Sequence, residues 1–257
     1  MSEGIDPLGD RPVYRQIADR LRQAVVHGNL APGARLPSES ELIERYSASR
    51  GTVRQSIAVL RSEGLIDVVH GRGAFVRERT PIRRLSYDRF ARRHREAGQA
   101  AFLAELEAEG RKAEVQVLHV GQGEPDSDIR ERLQLSDDKP VLMRHRRYLA
   151  DRQPVEVATS WLPLELVEGT AIVEANPGPG GIYARLEDMG HHLEHFTEEV
   201  SARMPQPDEA RALQLGPGVP VIRLIRVAYT VNDRPVEVCD TIIAADRYVL
   251  SYELPGR

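Results

Sequence analysis

The chain has 257 residues, of which 41% are hydrophobic and 29% charged, a balance that suits a globular protein with one large or two modest domains. Its single cysteine, Cys239, excludes an intramolecular disulfide and a four-cysteine zinc site. No run of eighteen apolar residues occurs, so no membrane partner is expected, and the N-terminal residues lack the pattern of a secretion signal. We therefore expect a cytoplasmic protein.

The charges are distributed unevenly along the chain. Residues 1–100 contain 18 Arg against 12 acidic residues, whereas residues 101–257 contain 17 basic against 27 acidic residues. A basic N-terminal part favours a polyanionic partner such as nucleic acid. A solvated basic surface is the alternative.

Three helices are predicted near the N-terminus. Apolar residues recur every four positions over residues 12–27 and predict an amphipathic helix. A second, short helix follows Ser38, which forms a capping box with Glu41 three residues later. A third helix extends to about Glu63 and ends at Gly64.

Two short β segments follow, joined at Gly71-Arg72-Gly73, where glycine tolerates the positive φ of a tight turn. The three helices and this hairpin predict a winged helix-turn-helix. Arg50 and Arg54 lie one turn apart at the start of the third helix and can read guanine edges in the major groove. Ser49 and Thr52 suit phosphates or a thymine methyl group, and Arg72 suits the minor groove or a phosphate.

The stretch "LAPGARLPSESELIERYSASRGTVRQSIAVLRSEGLI", followed by "GRGAFV", resembles the DNA-binding domain of GntR-family bacterial transcription regulators over residues 11–78. Ser40 stands where several relatives carry arginine. The resemblance implies a homodimer, either repressor or activator, bound to double-stranded operator DNA. We add Ser38 to the DNA-contacting positions that it implies: Ser49, Arg50, Gly51, Thr52, Arg54, His70, Gly71 and Arg72.

Residues 80–112 are predicted to be a linker, basic at first and then Ala- and Glu-rich, with a short helix carrying Phe102 and Leu106 on one face. One interpretation is that this segment transmits a change between domains and lends residues 86–89 to a pocket. A plain linker is the other.

Residues 113–257 are predicted to form an α+β domain on a mostly antiparallel sheet. Two stretches starting at Pro140 and Pro220 echo each other, and each predicts a β-hairpin in which Pro-Val-Glu-Val follows the polar turn. Helix patterns surround these hairpins. Residues 1–79 form the winged helix-turn-helix domain of the expected two-domain architecture.

The motifs "RRYLADRQPVE", "SWLP", "GGIYARLEDMG" and "VNDRPVEV" resemble the effector-sensing UTRA domain of the HutC subgroup, which is similar in fold to chorismate lyase. Ala158 and Tyr148 stand where many relatives carry Glu and Arg. The resemblance implies a small-molecule effector, for which we expect an anion. The candidate effector-binding residues are Arg144, Arg146, Tyr148, Ser160, Gly181, Tyr183 and Glu237.

Two features of the residues themselves support an anion site. Arg144 and Arg146 are two apart on a strand and point to one face, where they can clamp an anion. A helix that starts at residues 180–181 offers free N–H groups. The alternatives are arginines that face solvent or pair with Glu156 or Glu237, and a plain helix entry.

No enzyme, cofactor or metal is predicted. The histidines of "GHHLEHF" lie between a helix end and a strand, which disfavours zinc, and no nucleophile elbow, phosphate loop or dinucleotide fingerprint occurs. The sequence predicts a repressor that binds a palindromic operator as a dimer and responds to a small effector. A DNA-tethered enzyme and an effector-independent DNA-binding protein remain alternatives.

Overall fold

The computed structural model describes residues 5–6, 9–78, 81–85 and 101–254. The chain divides into two compact units. The N-terminal unit consists of Met1–Thr80 with Leu215–Val219, and the C-terminal unit of Pro81–Gln214 with Pro220–Arg257. Within the described residues, no helix is long and apolar enough to cross a membrane.

Three helices and a hairpin form the N-terminal unit: α1 (Val13–Val26), α2 (Glu39–Tyr46), α3 (Arg50–Ser62), β1 (Ile66–Val69) and β2 (Gly73–Val76). The hairpin strands are antiparallel. The apolar stripes of the helices meet in one core, where Ile17, Leu42, Val53 and Leu60 are fully buried. Ile57 of α3 packs against this core and is only partly buried. The predicted winged helix-turn-helix is thus confirmed.

The helix boundaries follow from local capping. Ser38 accepts a hydrogen bond from the Glu41 backbone N–H and donates its own N–H to the Glu41 carboxylate, which completes the predicted capping box at α2. Ser47 closes α2 in the left-handed region at φ 50°. Two residues later Ser49 caps α3, so only a tight turn separates the two helices.

The C-terminal unit is built on a six-stranded antiparallel sheet. Its strands are β4 (Ala113–Gly123), β5 (Val141–Ala150), β6 (Gln153–Pro163), β7 (Leu193–Arg203), β8 (Val221–Thr230) and β9 (Pro235–Ala244). They lie in the order β4-β5-β6-β9-β8-β7. Both predicted hairpins are present as β5–β6 and β8–β9, and they adjoin at the centre of the sheet.

A separate two-stranded parallel sheet joins β3 (Ile82–Leu85) to β10 (Tyr248–Ser251). The helices are α4 (Ala101–Ala108), α5 (Ser127–Arg132), α6 (Leu164–Val167), a 3₁₀ helix (Ala171–Val173), α7 (Gly181–Asp188) and α8 (Pro207–Ala212). The predicted α+β class is confirmed.

Two apolar clusters cover the ends of one sheet face. One contains Leu142 with Ile172 and Leu186 of the covering helices, and the other contains Phe102 and Leu106 of α4. Along β5 the side chains between them are arginines rather than apolar residues. This leaves a polar region between two apolar ends of the same face.

Candidate functional site

The first candidate site lies at the N-terminal turn of α3. Arg50 and Arg54 both extend toward Glu39 of α2, with nitrogen-to-carboxylate distances of 3.9 and 3.8 Å. Because both side chains approach one glutamate, they project from the same side of the helix, as their spacing predicts. They are 72% and 71% exposed, so these long contacts constrain them weakly. Both guanidinium groups are therefore available to an anionic partner.

Hydroxyl groups shape the start of each helix at this surface. Ser49 Oγ accepts a hydrogen bond from the Thr52 N–H at 3.2 Å and lies 2.9 Å from Thr52 Oγ1. Ser38 Oγ donates to Glu41 at 2.8 Å. Gly51 is exposed, and a Cβ there would approach Ser49 Oγ no closer than 3.8 Å. Ser49 therefore caps the first turn of α3 at an exposed position, and Ser38 caps the first turn of α2.

The turn between β1 and β2 contains the other predicted DNA-contacting residues. Gly71 and Gly73 have φ angles of 73° and 115°, which glycine adopts without strain. His70 and Arg72 are exposed, and the Arg72 guanidinium lies 5.9 Å from the centre of the Phe75 ring. The turn therefore presents a basic group above a compact backbone.

Arg35 lies beside this turn, although it is not among the residues predicted from the sequence. Its backbone bridges that of Phe75, and a Cβ at Gly73 would come within 3.0 Å of its Nε. The arginine side chain is exposed. The sequence signal for it is its place just before the capping box, a position that many solvated arginines share.

The second candidate site is the polar region of the sheet in the C-terminal unit. Directly paired residues of antiparallel strands share a face. Arg144 pairs with Ser160, which pairs with Cys239, which in turn pairs with Arg226. We call the polar band the set of residues on this face consisting of Arg144, Arg146, Ser160, Arg226, Glu237 and Cys239.

Arg146 lies at the centre of the polar band. Its Nη2 donates a hydrogen bond to Ser160 Oγ, and its guanidinium lies 5.8 Å from the centre of the Tyr148 ring. Among the described residues, its buried Nε has no hydrogen-bond partner. Arg146 therefore retains a buried donor for a further acceptor.

Arg144 is bound differently. The side chain is 1% exposed, and its guanidinium donates to the backbone carbonyls of Ile172, Glu174 and Ala175. Burial, together with the charge of Arg146, lowers the pKa of Arg144 to about 10, so it stays charged at neutral pH. Arg144 thus anchors the segment that leads from the 3₁₀ helix toward α7.

Tyr183 of α7 joins two charged residues of the polar band. Its hydroxyl donates to Glu237 Oε2 and accepts from Arg226 Nε at 3.0 Å. Arg226 Nη2 lies 3.9 Å from Glu237 Oε2, and Glu237 is only 1% exposed. Burial raises the pKa of Tyr183 well above its usual 10, which keeps the hydroxyl protonated as a donor. Opposite charges thus meet beneath α7.

The structure brings six of the seven predicted effector-binding residues to the polar band or into contact with it. Gly181 is the exception. It lies two residues before Tyr183, and a Cβ at Gly181 would meet nothing within 4 Å among the described residues. Residues 86–89, predicted to join a pocket, lie outside the described residues.

Arg226 was missed by the sequence analysis, although the internal echo contains the signal. Counting from Pro140 and from Pro220, Arg146 and Arg226 occupy the same position, and Glu156 and Glu237 are equivalent in the two Pro-Val-Glu-Val motifs. Each pair has one residue in each hairpin, and the strand register places all four residues on the same face of the sheet.

The histidine cluster shows no ligand geometry. His195 stacks on Tyr229 with ring centres 4.6 Å apart and lies 3.7 Å from Asp233. Within the described part of the chain, no group of three potential ligands is placed to hold a metal ion.

Comparisons with known proteins match both units. The model "Bacterial regulatory proteins, gntR family" matches residues 13–76, and the model "UTRA domain" matches residues 108–249. A helix-turn-helix transcriptional regulator of Streptomyces coelicolor is 34% identical over 248 residues, which cover 94% of this chain and 92% of the relative.

Two further relatives are similar over their whole length. The mannosyl-D-glycerate transport/metabolism system repressor MngR of Escherichia coli is 25% identical, with 94% of this chain and 95% of the repressor covered. A crystal structure of a GntR-family transcriptional regulator has a TM-score of 0.67 at 30% identity and covers 96% of this chain and 99% of its own.

Proposed function

This chain belongs to the GntR family of bacterial regulatory proteins and carries the UTRA domain of the HutC subgroup. We propose that one of its two candidate sites binds DNA and that the other binds an effector. The protein is a DNA-binding transcription regulator that a small molecule modulates. The N-terminal turn of α3 and the β1–β2 turn contact operator DNA, and the polar band binds the effector.

The main support for DNA binding is the exposed pair Arg50 and Arg54. Two guanidinium groups on one side of a helix N-terminus match the major-groove edge of guanine, where a bidentate arginine reads O6 and N7. Ser38, Ser49, Gly51 and Thr52 contact backbone phosphates in this arrangement. His70, Gly71 and Arg72 approach the minor groove or a phosphate.

The test uses an operator selected from random DNA and compares its affinity with that of unselected DNA. Arg50→Ala or Arg54→Ala should cost about 1–3 kcal/mol on the operator and relax preference at one base position. Arg72→Ala should weaken binding to both DNAs more evenly. Arg61→Ala, exposed at the far end of α3, is the matched control. Equal losses on both DNAs for all three variants would refute the division of roles.

For the effector we propose a small anion that carries hydroxyl or amine groups. Arg146 provides a buried donor without a partner among the described residues, and the Tyr183–Glu237 pair provides groups that bind hydroxyls or amines. Arg144, fixed on three carbonyls, supports the site from behind rather than clamping the anion directly. The named relative MngR governs a mannosyl-D-glycerate system, which places a glycosylated carboxylate first in a ligand panel.

A thermal-shift screen of sugar phosphates, glycosylated carboxylates and amino-acid derivatives tests this part. A ligand at about 100 times its Kd should stabilise the fold by ~2.7 kcal/mol. Arg146→Ala should abolish that shift. The matched control Arg147→Ala alters the next residue on β5, which points to the other face and bonds to Gln116. A shift that persists in Arg146→Ala places the ligand elsewhere.

We further propose that the protein acts as a dimeric repressor in the cytoplasm, where its palindromic operator is accessible. Two-fold symmetry in the DNA mirrors two-fold symmetry in the protein, and the C-terminal unit holds the dimer. The proposed domains are residues 1–79 and 113–257, with residues 80–112 between them. We assign the polar band a binding role rather than a catalytic one because the relatives are named as transcription regulators. Sedimentation of the full chain as a monomer at micromolar concentration would contradict the dimer.

A further inference from the structure

Strand β3 is the first element of the C-terminal unit along the chain, and it carries a buried arginine. This arginine is Arg84, which is 2% exposed, whereas the preceding residue of the strand, Arg83, is exposed. The strand runs parallel to β10, and the Ile82 N–H donates to the Arg247 carbonyl at 2.8 Å. A charged side chain at this depth is rarely tolerated unless an opposite charge accompanies it.

The opposite charge is Glu198 of β7, at the edge of the six-stranded sheet. Arg84 Nη2 donates to Glu198 Oε1, and the Tyr252 hydroxyl donates to Glu198 Oε2 at 2.9 Å. Tyr252 directly follows β10 in the chain. One carboxylate, with its side chain 10% exposed, therefore binds a group from β3 and a group from the residue that follows β10.

Glu198 lies directly opposite Arg226 in the β7–β8 register, so the two side chains share the face that carries the polar band. Burial lowers the pKa of Arg226, but Tyr183, Cys239 and Glu237, and to the smallest extent Glu198, raise it above its ordinary value. The buried charges consequently alternate in sign from Arg84 through Glu198 and Arg226 to Glu237.

We infer that Arg84 is the positioning residue through which the state of the polar band reaches β3, the strand that follows the DNA-binding unit in the chain. The inference rests on the proposed function, since it treats the polar band as the effector site. Arg226 contacts Tyr183 and Glu237 on one side, and on the other side Glu198 is its directly paired neighbour on β7. An anionic effector that draws Arg226 toward the band leaves Glu198 to Arg84, which tightens β3.

Substitution of Glu237 should change the mobility of β3 even when no effector is present. In Glu237→Gln the band loses a negative charge, so Arg226 turns toward Glu198 and competes with Arg84 for it. Strand β3 should then loosen. Groups of alternating sign in a buried site are strongly coupled because little water screens them.

The experiment measures backbone hydrogen exchange of β3 in the full chain, with no DNA and no ligand. Arg84→Met should accelerate exchange at Ile82 and its neighbours by roughly tenfold or more, because the partner carboxylate loses its cation. Arg83→Met, which alters the exposed neighbour on the same strand, should leave exchange within about twofold. Equal acceleration by both variants would mean that any substitution loosens β3, and would overturn the inference.

The decisive arm is the double-mutant cycle. Glu237→Gln should accelerate β3 exchange about threefold or more in the wild-type background and by less than about twofold in Arg84→Met. A merely structural Arg84 would leave the Glu237→Gln effect unchanged in the double variant, which overturns the inference. If Arg84→Met unfolds the C-terminal unit, the isosteric Glu198→Gln replaces it with the same expectation.

Failure of this inference is distinguishable from failure of the proposed function. Exchange that does not respond to Glu237→Gln refutes the connection to β3, while the operator and ligand-binding assays of the same variants report independently on DNA and effector binding. Glu199→Gln provides the control for a nearby charge change, since Glu199 pairs with Arg132 at 2.8 Å and is 66% exposed. A response of β3 to Glu199→Gln as large as that to Glu237→Gln also overturns the inference.

Discussion

Replacing Arg144 by methionine should destabilise the C-terminal unit by about 2–4 kcal/mol, a value that follows from three acceptors. The buried Ile172 carbonyl would be left without its donor, at a cost of about 1–3 kcal/mol. Glu174 and Ala175 are exposed, so water can reach their carbonyls, and each should lose only about 1 kcal/mol. Methionine avoids the desolvation cost of a buried guanidinium, which offsets part of the sum.

Trp161, the one tryptophan of the chain, provides the assay because it lies on β6 of the C-terminal unit. Its fluorescence in urea reports on this unit alone, and with a slope of about 2 kcal/mol per molar the midpoint should fall by about 1–2 M. Arg144→Lys should lie between the two proteins, because an ammonium cannot reproduce the guanidinium fork.

The matched control for this experiment is Arg147→Met. Arg147 lies three residues further along β5 and donates to the Gln116 side chain at 2.9 and 2.6 Å. It should change the urea midpoint by less than about 0.5 M, as expected for a partly exposed side-chain contact. If Arg144→Met unfolds at the same urea concentration as Arg147→Met, the carbonyl contacts do not stabilise the unit and the anchoring role of Arg144 is wrong.

Three further predictions concern stability. Leu60→Ala, at a fully buried position, should cost about 2–5 kcal/mol in unfolding of the N-terminal unit followed by circular dichroism, whereas Leu60→Met should cost less than about 1.5 kcal/mol. Ser38→Ala removes the cap of α2 and should cost about 1 kcal/mol by the same measurement; an unchanged midpoint would show that Glu41 caps the helix alone. Burial, with the charges of Arg146 and His119, lowers the pKa of His145 below its ordinary 6.5. As the pH drops, the unfolded chain therefore takes up the His145 proton before the folded protein does, and the free energy of unfolding falls from about pH 6.5 toward the lowered pKa. In urea titrations, His145→Gln should show a smaller fall in the free energy of unfolding between pH 7.5 and 5.5 than the wild type.

The sequence alone determined the elements and their boundaries where the causes are local. The capping box of Ser38 and Glu41 and the helix stop at Gly64 depend on residues only a few positions apart, so α2 and α3 could be predicted closely. The spacing of Arg50 and Arg54 likewise fixed their common side on α3, because helical geometry alone decides it. The two hairpins followed from their alternating runs and turns.

Only the tertiary structure decided which charges meet. Spacing correctly placed Arg144 and Arg146 on one face. It could not show that Arg144 donates to the carbonyls of Ile172, Glu174 and Ala175, whereas Arg146 Nε has no hydrogen-bond partner within the described part of the chain. The register of β7, β8 and β9 places Glu198, Arg226 and Glu237 on one face of the sheet. That register depends on packing between strands far apart in the chain, and a shift of one residue would turn each of these side chains to the opposite face. The cost of burying charge then selects the pairs that form, and that cost exists only once the sheet and its covering helices exclude water.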